Sequence, residues 1–249
     1  MEDFIEALGT DRAQLLGICE GLDSAAWAAP SGCPGWSVKD LVAHMGALFW
    51  GVVDLAALPD ISGLATEAAQ EVLVRSRRSL TAGEVLDDYA TVSEKALTAL
   101  AGFAGADFEL PLGDLGTYQA PILPAAFCFD HYTHIRADLF APRGPLPGPV
   151  PPSDELRLAP ALTWIEAALP QQNAALLHHV AGAADIVITG TAERTIRVGD
   201  RAEPASALVR SDGDACVRWI TQRASWEDLG VHAEGDPAVL AVLRELKVF

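Results

Sequence analysis

Apolar residues recur at three- and four-residue spacing through most of the first 141 positions, the period of helices with one buried face. The runs fall at 2–22, 37–58, about 65–80, 83–104 and 124–141. In the second run, Val38, Leu41, Val42, Met45, Leu48 and Phe49 mark one side. End signals agree with these runs: Ser37 with Asp40 three residues on has the form of a capping box, and Pro124 suits a first helical turn. Four or more such helices, each needing a partner for its apolar face, predict a helical bundle.

The pattern breaks at Pro142-Arg143-Gly144-Pro145-Leu146-Pro147-Gly148-Pro149-Val150-Pro151-Pro152. Proline fixes φ and lacks an amide donor, so this run predicts neither helix nor central strand and marks a boundary. Beyond it a helix is expected at about 156–180, and then the period shortens. Asp185–Thr189 and Arg194–Val198 read as a hairpin, Ala205–Arg210 and Leu229–Ala233 as further strands, 213–223 as a helix, and 237–247 as a last helix capped by Asp236. The expected architecture has two domains: an α-helical four-helix bundle at 1–141 and a small α+β domain at 156–249, joined by a proline-rich linker at 142–155.

Composition narrows the function classes. The chain has 249 residues, 50% hydrophobic, enough for sizeable cores without covalent staples. A formal charge of -17 argues against nucleic acid and anionic membrane as partners, since both demand basic surface. The start, Met1-Glu2-Asp3-Phe4, is acidic where a targeting peptide would be basic, and no uninterrupted apolar span of membrane length occurs, so a cytoplasmic protein is expected. Cys19, Cys33, Cys128 and Cys216 form no CxxC pair and are expected as free thiols.

Candidate chemistry centres on His44, Asp130 and His134. His44 borders the apolar face of its helix, while Asp130 and His134, four apart, stack one turn above the other. Two imidazoles and a carboxylate on facing helices make a divalent-metal site. At this level the alternatives stay open: His44 as a satisfied core histidine, Asp130 and His134 as a metal-free pair, and His131 as a replacement ligand on a rotated helix. Cys33, in the turn Pro30-Ser31-Gly32-Cys33-Pro34-Gly35-Trp36, is either a reactive thiol or a packed one, and Trp36 suits a hydrophobic staple. Phosphate loops, serine-hydrolase elbows and His-Glu-x-x-His motifs are absent from the sequence.

The stretch from Cys33 to His44, Cys-Pro-Gly-Trp-Ser-Val-Lys-Asp-Leu-Val-Ala-His, resembles the C-P-G-W-x-V-x-D-L-x-x-H signature of the DinB-like, mycothiol-dependent maleylpyruvate isomerase family of actinobacteria. His134-Ile135-Arg136-Ala137-Asp138-Leu139 resembles that family's H-x-x-x-D-L run. Trp219–Arg223 and Val231–Pro237 are similar to its sterol-carrier-like C-terminal domain.

The resemblance implies His44, Asp130 and His134 as ligands of a divalent metal, zinc or alternatively nickel, with mycothiol as cosubstrate. It also implies Arg223 at the substrate, where a planar guanidinium would grip a carboxylate; a solvated helix-end arginine is the other reading. Asp130 stands where the family pattern has glutamate, so the ligand arm is one methylene shorter and its helix must come closer. The implied enzyme is an isomerase or a thiol S-transferase, a monomer acting on a small electrophile with a low-molecular-weight thiol. The rival class is a non-catalytic module binding a small molecule or lipid.

Overall fold

A computed structural model describes residues 2–180 and 182–249. It divides into two compact units, Met1–Pro152 and Ser153–Phe249.

The first unit is helical. Its elements are α1 (Glu2–Glu20), α2 (Ser24–Ala28), α3 (Val38–Val53), α4 (Thr66–Arg75), α5 (Ala82–Ala101) and α6 (Leu123–Thr133), the last continuing as a π-helical turn over His134–Leu139. The helices α1, α3, α5 and α6 pack together, and α4 lies on α3. The buried seam explains the spacing read in the sequence. Leu8 and Leu15 from α1, Leu41 and Met45 from α3, and Tyr89 and Leu100 from α5 are wholly inside. Phe49 stacks on Phe127 at 5.2 Å between ring centres, tying α3 to α6.

Two local devices set where α3 begins. Ser37 accepts from the Asp40 amide while the Asp40 carboxylate accepts from the Ser37 amide, closing the expected capping box. Just before it, Ser31 N–H donates to Trp36 O at 2.8 Å, and the turn between them needs Gly35 at φ +81°, a conformation that other residues resist.

Between α5 and α6 lies a short antiparallel hairpin, β1 (Glu109–Pro111) with β2 (Thr117–Gln119), which the sequence pattern did not reveal. Three-residue strands are too short for an alternation to stand out. The proline-rich run does more than connect: Leu146 N–H donates to Leu139 O and Gly144 N–H to Phe140 O, and Leu146 is buried. Up to Pro152 this run belongs to the first unit.

The second unit is α+β. It holds α7 (Glu155–Gln172), α8 (Ala174–Leu177), β3 (Ala183–Thr189), β4 (Arg194–Gly199), β5 (Ala205–Asp212), α9 (Gly213–Ile220), β6 (His232–Gly235) and α10 (Pro237–Arg244). The sheet order is β4-β3-β5-β6, with β3 antiparallel to β4 and parallel to β5, and β5 antiparallel to β6. The helices α7, α9 and α10 cover it around Trp164, Trp219, Ile186 and Val209. Asp236 caps α10 as expected.

Several boundaries differ from the sequence pattern, among them the ends of α3 at Val53 and α4 at Arg75, and two have a clear local cause. The helix expected to 180 stops at Gln172, because Asn173 turns its side-chain amide onto the carbonyls of Leu169 and Lys247. The last strand begins at His232 rather than 229: Gly230 adopts φ +62° and Val231 N–H closes a turn onto Trp226 O. No helix among the described residues is long and apolar enough to cross a membrane.

Candidate metal centre

Helix α3 delivers His44 and helix α6 delivers Asp130, with His134 at the junction where α6 widens into the π turn. Such turns are rare and frequent at functional sites. The three side chains meet at one atom. Asp130 Oδ1 lies 3.2 Å from His44 Nε2 and 3.3 Å from His134 Nε2. The imidazoles stand edge to face, 5.1 Å between centres, and Trp36 covers His44 at 5.0 Å. His44 and His134 are buried and Asp130 nearly so.

Electrostatics follow from that crowding. Burial works against ionising Asp130, yet the imidazoles of His134 and His44 hold its carboxyl well below the usual carboxylate range. Burial likewise opposes charge on His134, but the Asp130 carboxylate, aided by Cys33 and Asp138, makes it keep a proton well above the ordinary imidazole range.

His131 is not the alternative ligand that its position suggested. Its Nδ1–H donates to Phe127 O at 3.0 Å, which leaves Nε2 to accept the Tyr89 hydroxyl at 3.0 Å. Burial pulls its pKa down, against the pull of Asp130, so the ring is a neutral core group.

The donor set suits a divalent ion. Ligand distances of about 2.0 to 2.2 Å around a tetrahedral ion place neighbouring donor atoms roughly 3.3 to 3.6 Å apart, close to both separations found here. Two buried polar atoms also lack hydrogen-bond partners: His44 Nδ1 and Asp130 Oδ2. His131 Nδ1 lies 3.5 Å from Oδ2, but its hydrogen is already given to Phe127. A carboxylate oxygen left idle in the interior is costly, and a cation beside it would remove the cost. The aspartate arm reaches both imidazoles despite its missing methylene.

Around His134 the structure gathers two further groups, Asp138 and Cys33. His134 Nδ1–H donates to Asp138 Oδ2 at 2.8 Å, and Cys33 Sγ lies 3.4 Å from the same oxygen and 3.7 Å from Nδ1. Asp138 stands four residues after His134, the spacing of the Asp130–His134 pair, so periodicity alone could have found it. Cys33 is half-buried, whereas Cys19, Cys128 and Cys216 are buried, and burial raises the thiol pKa of Cys19 and of Cys216 to about 12. Trp36, expected as a staple, also covers His44 and is anchored by Nε1–H to Glu71 at 3.0 Å.

Arg223 lies in the second unit, just past α9. Gln222 before it takes φ +57°, and Arg223 N–H donates to Arg218 O at 2.8 Å, so its backbone position is fixed by the turn that ends the helix. The side chain is half-buried, with Nη1 donating to Thr221 O at 3.4 Å.

No curated protein matches the sequence. Among solved structures, the chain is similar to a crystal structure of the mycothiol-dependent maleylpyruvate isomerase, in a histidine-to-alanine mutant form. That match has a TM-score of 0.63 and 13% identity, and covers 94% of this chain and 93% of that one. A second structure described as the mycothiol-dependent maleylpyruvate isomerase gives a TM-score of 0.61 at the same identity and coverage. At that identity the likeness speaks for the fold. A family profile described as the mycothiol maleylpyruvate isomerase N-terminal domain matches residues 8–134, the segment that carries all three converging side chains, and the chain belongs to that family.

Proposed function

We propose that this protein is a divalent-metal- and mycothiol-dependent enzyme, an isomerase of the maleylpyruvate isomerase type or a thiol S-transferase. The observation that carries the reading is the sharing of Asp130 Oδ1 by the Nε2 atoms of His44 and His134. Three protein donors leave a position open on a tetrahedral ion, the pattern of catalytic rather than structural zinc. A zinc ion held there, or nickel in its place, would supply Lewis acidity, lowering the pKa of an incoming thiol so that thiolate forms near neutral pH.

The chain's own residues have distinct tasks in this proposal. Asp130 and the two imidazoles define where the thiol sulfur must arrive. Trp36, packed on His44, shields that imidazole from water. Arg223 is assigned to a substrate carboxylate, which its planar fork would grip with two parallel hydrogen bonds. In an isomerase the thiol sulfur adds to a conjugated cis double bond, the resulting single bond rotates, and the thiol departs as the double bond reforms. In a transferase the carbon–sulfur bond is kept. Free thiols throughout suit a reducing cytoplasm, where a low-molecular-weight thiol is abundant.

The test has two parts. Elemental analysis of untagged protein is expected to find one zinc or nickel per chain, lost in His44→Ala. Metal-loaded protein given mycothiol and a panel of electrophiles, maleylpyruvate included, is expected to show turnover that requires the thiol. Metal-free wild-type protein, or no thiol-dependent reaction with any electrophile, would favour a non-catalytic binding module instead.

A further inference from the structure

The two imidazoles of the site are held very differently. His44 has no partner for its Nδ1, whereas His134 gives its Nδ1–H to a carboxylate. We infer that Asp138 is the positioning residue of this site: it takes the Nδ1–H of His134 and thereby commits Nε2 of that ring to the ion. The inference rests on the metal-dependent reading above and extends it to a residue that is not itself among the three ligands.

The surroundings of Asp138 are built to hold its carboxylate still. Its side chain is fully buried, and its backbone carbonyl accepts from Gly32 N–H at 2.8 Å. A Cβ on Gly32 would come within 2.6 Å of Asp138 Oδ1 and 2.8 Å of its Cα, so that loop position is glycine for want of space. Arg143 Nε lies 3.5 Å from Oδ1 and offsets the charge that Asp138 brings inside, while Arg143 Nη2 donates to Gly32 O at 2.6 Å. The loop before α3, the π turn and the segment after it therefore close around one carboxylate. An imidazole that donates its far N–H to a carboxylate is fixed in tautomer and orientation and is a more basic ligand. Among the described residues no comparable contact serves His44 Nδ1.

The test measures zinc affinity by chelator competition on the full chain and records the visible spectrum of the cobalt-loaded form. Asp138→Asn keeps the shape and the backbone contact but loses the carboxylate. It is expected to weaken zinc binding roughly 10- to 100-fold and to alter the cobalt spectrum. Gly32→Ala displaces the same carboxylate from the loop side and is expected to weaken zinc in the same direction, so it decides the matter if Asp138→Asn does not fold. A folded Asp138→Asn with wild-type zinc affinity and an unchanged cobalt spectrum overturns the positioning role and leaves the metal site standing. A wild-type protein that takes up no ion overturns both.

Discussion

The two units bury different kinds of atom. In the first, Asp11, Asp40, His44, Arg77, His131, His134, Arg136 and Asp138 all lie inside. In the second, the buried polar residues among those described are Asn173, Ser211 and Thr221, none of them charged, and its ion pairs, such as Arg197 with Asp185, lie toward the surface. An interior charge costs several kcal/mol of lost hydration and persists only where partners or a task offset it. The sheet unit buries only uncharged polar side chains among its described residues, while the helical unit carries a charged seam whose members answer one another. That difference places the buried cluster of His44, Asp130 and His134 in the helical unit.

The contrast can be broken most severely at Arg136. Its guanidinium meets Asp11 through both Nη atoms at 2.9 and 3.2 Å, donates to Pro152 O, and stacks 4.2 Å above the Tyr132 ring. Arg136→Met leaves a buried carboxylate without its cation and is expected to cost about 3 to 5 kcal/mol in urea unfolding. A smaller loss would mean that the seam is wetter than its burial implies.

Acid should separate the units next. In the ion-free protein His134 retains its proton to a pH well above the ordinary imidazole range, so an ion at Nε2 must displace that proton. Zinc affinity is expected to level off above the raised pKa of His134 and to fall below it, by about tenfold per pH unit for each proton displaced. Chelator competition across a pH series reads the slope, and a flat profile would remove His134 from the ligand set.

Packing in the sheet unit should respond without touching the metal. Ile186 on the central strand β3 is fully buried, and Ile186→Val is expected to cost about 0.5 to 1.5 kcal/mol. Zinc content should stay at the wild-type value by elemental analysis. The smallest effect is expected at the surface: Arg197→Ala breaks the strand pair with Asp185, but solvent screens that pair, so the urea midpoint should move less than for Ile186→Val, and less still in high salt.

Much of the fold was legible because it obeys short-range rules. The spacing of Val38, Leu41, Val42, Met45 and Phe49 gave α3, Ser37 with Asp40 gave its start, and Asp236 gave the start of α10. The elements that escaped or shifted depend on single residues acting at a distance or on too few residues to form a pattern. Asn173 ends α7 through a bond to Lys247, 74 positions away, and each strand of the β1–β2 hairpin has three residues.

For the site, the amino-acid order by itself determined which groups exist and which share a helix face: His44 on one helix, Asp130 and His134 one turn apart on another. Only the tertiary structure decided that all three meet at a single oxygen atom, that His131 turns away to Tyr89 and Phe127, and that Asp138 stands behind His134. The reason is physical. Periodicity fixes the direction of a side chain around its own helix axis, whereas which nitrogen of a ring faces a partner depends on the packing of several segments at once, and that is a property of the folded chain.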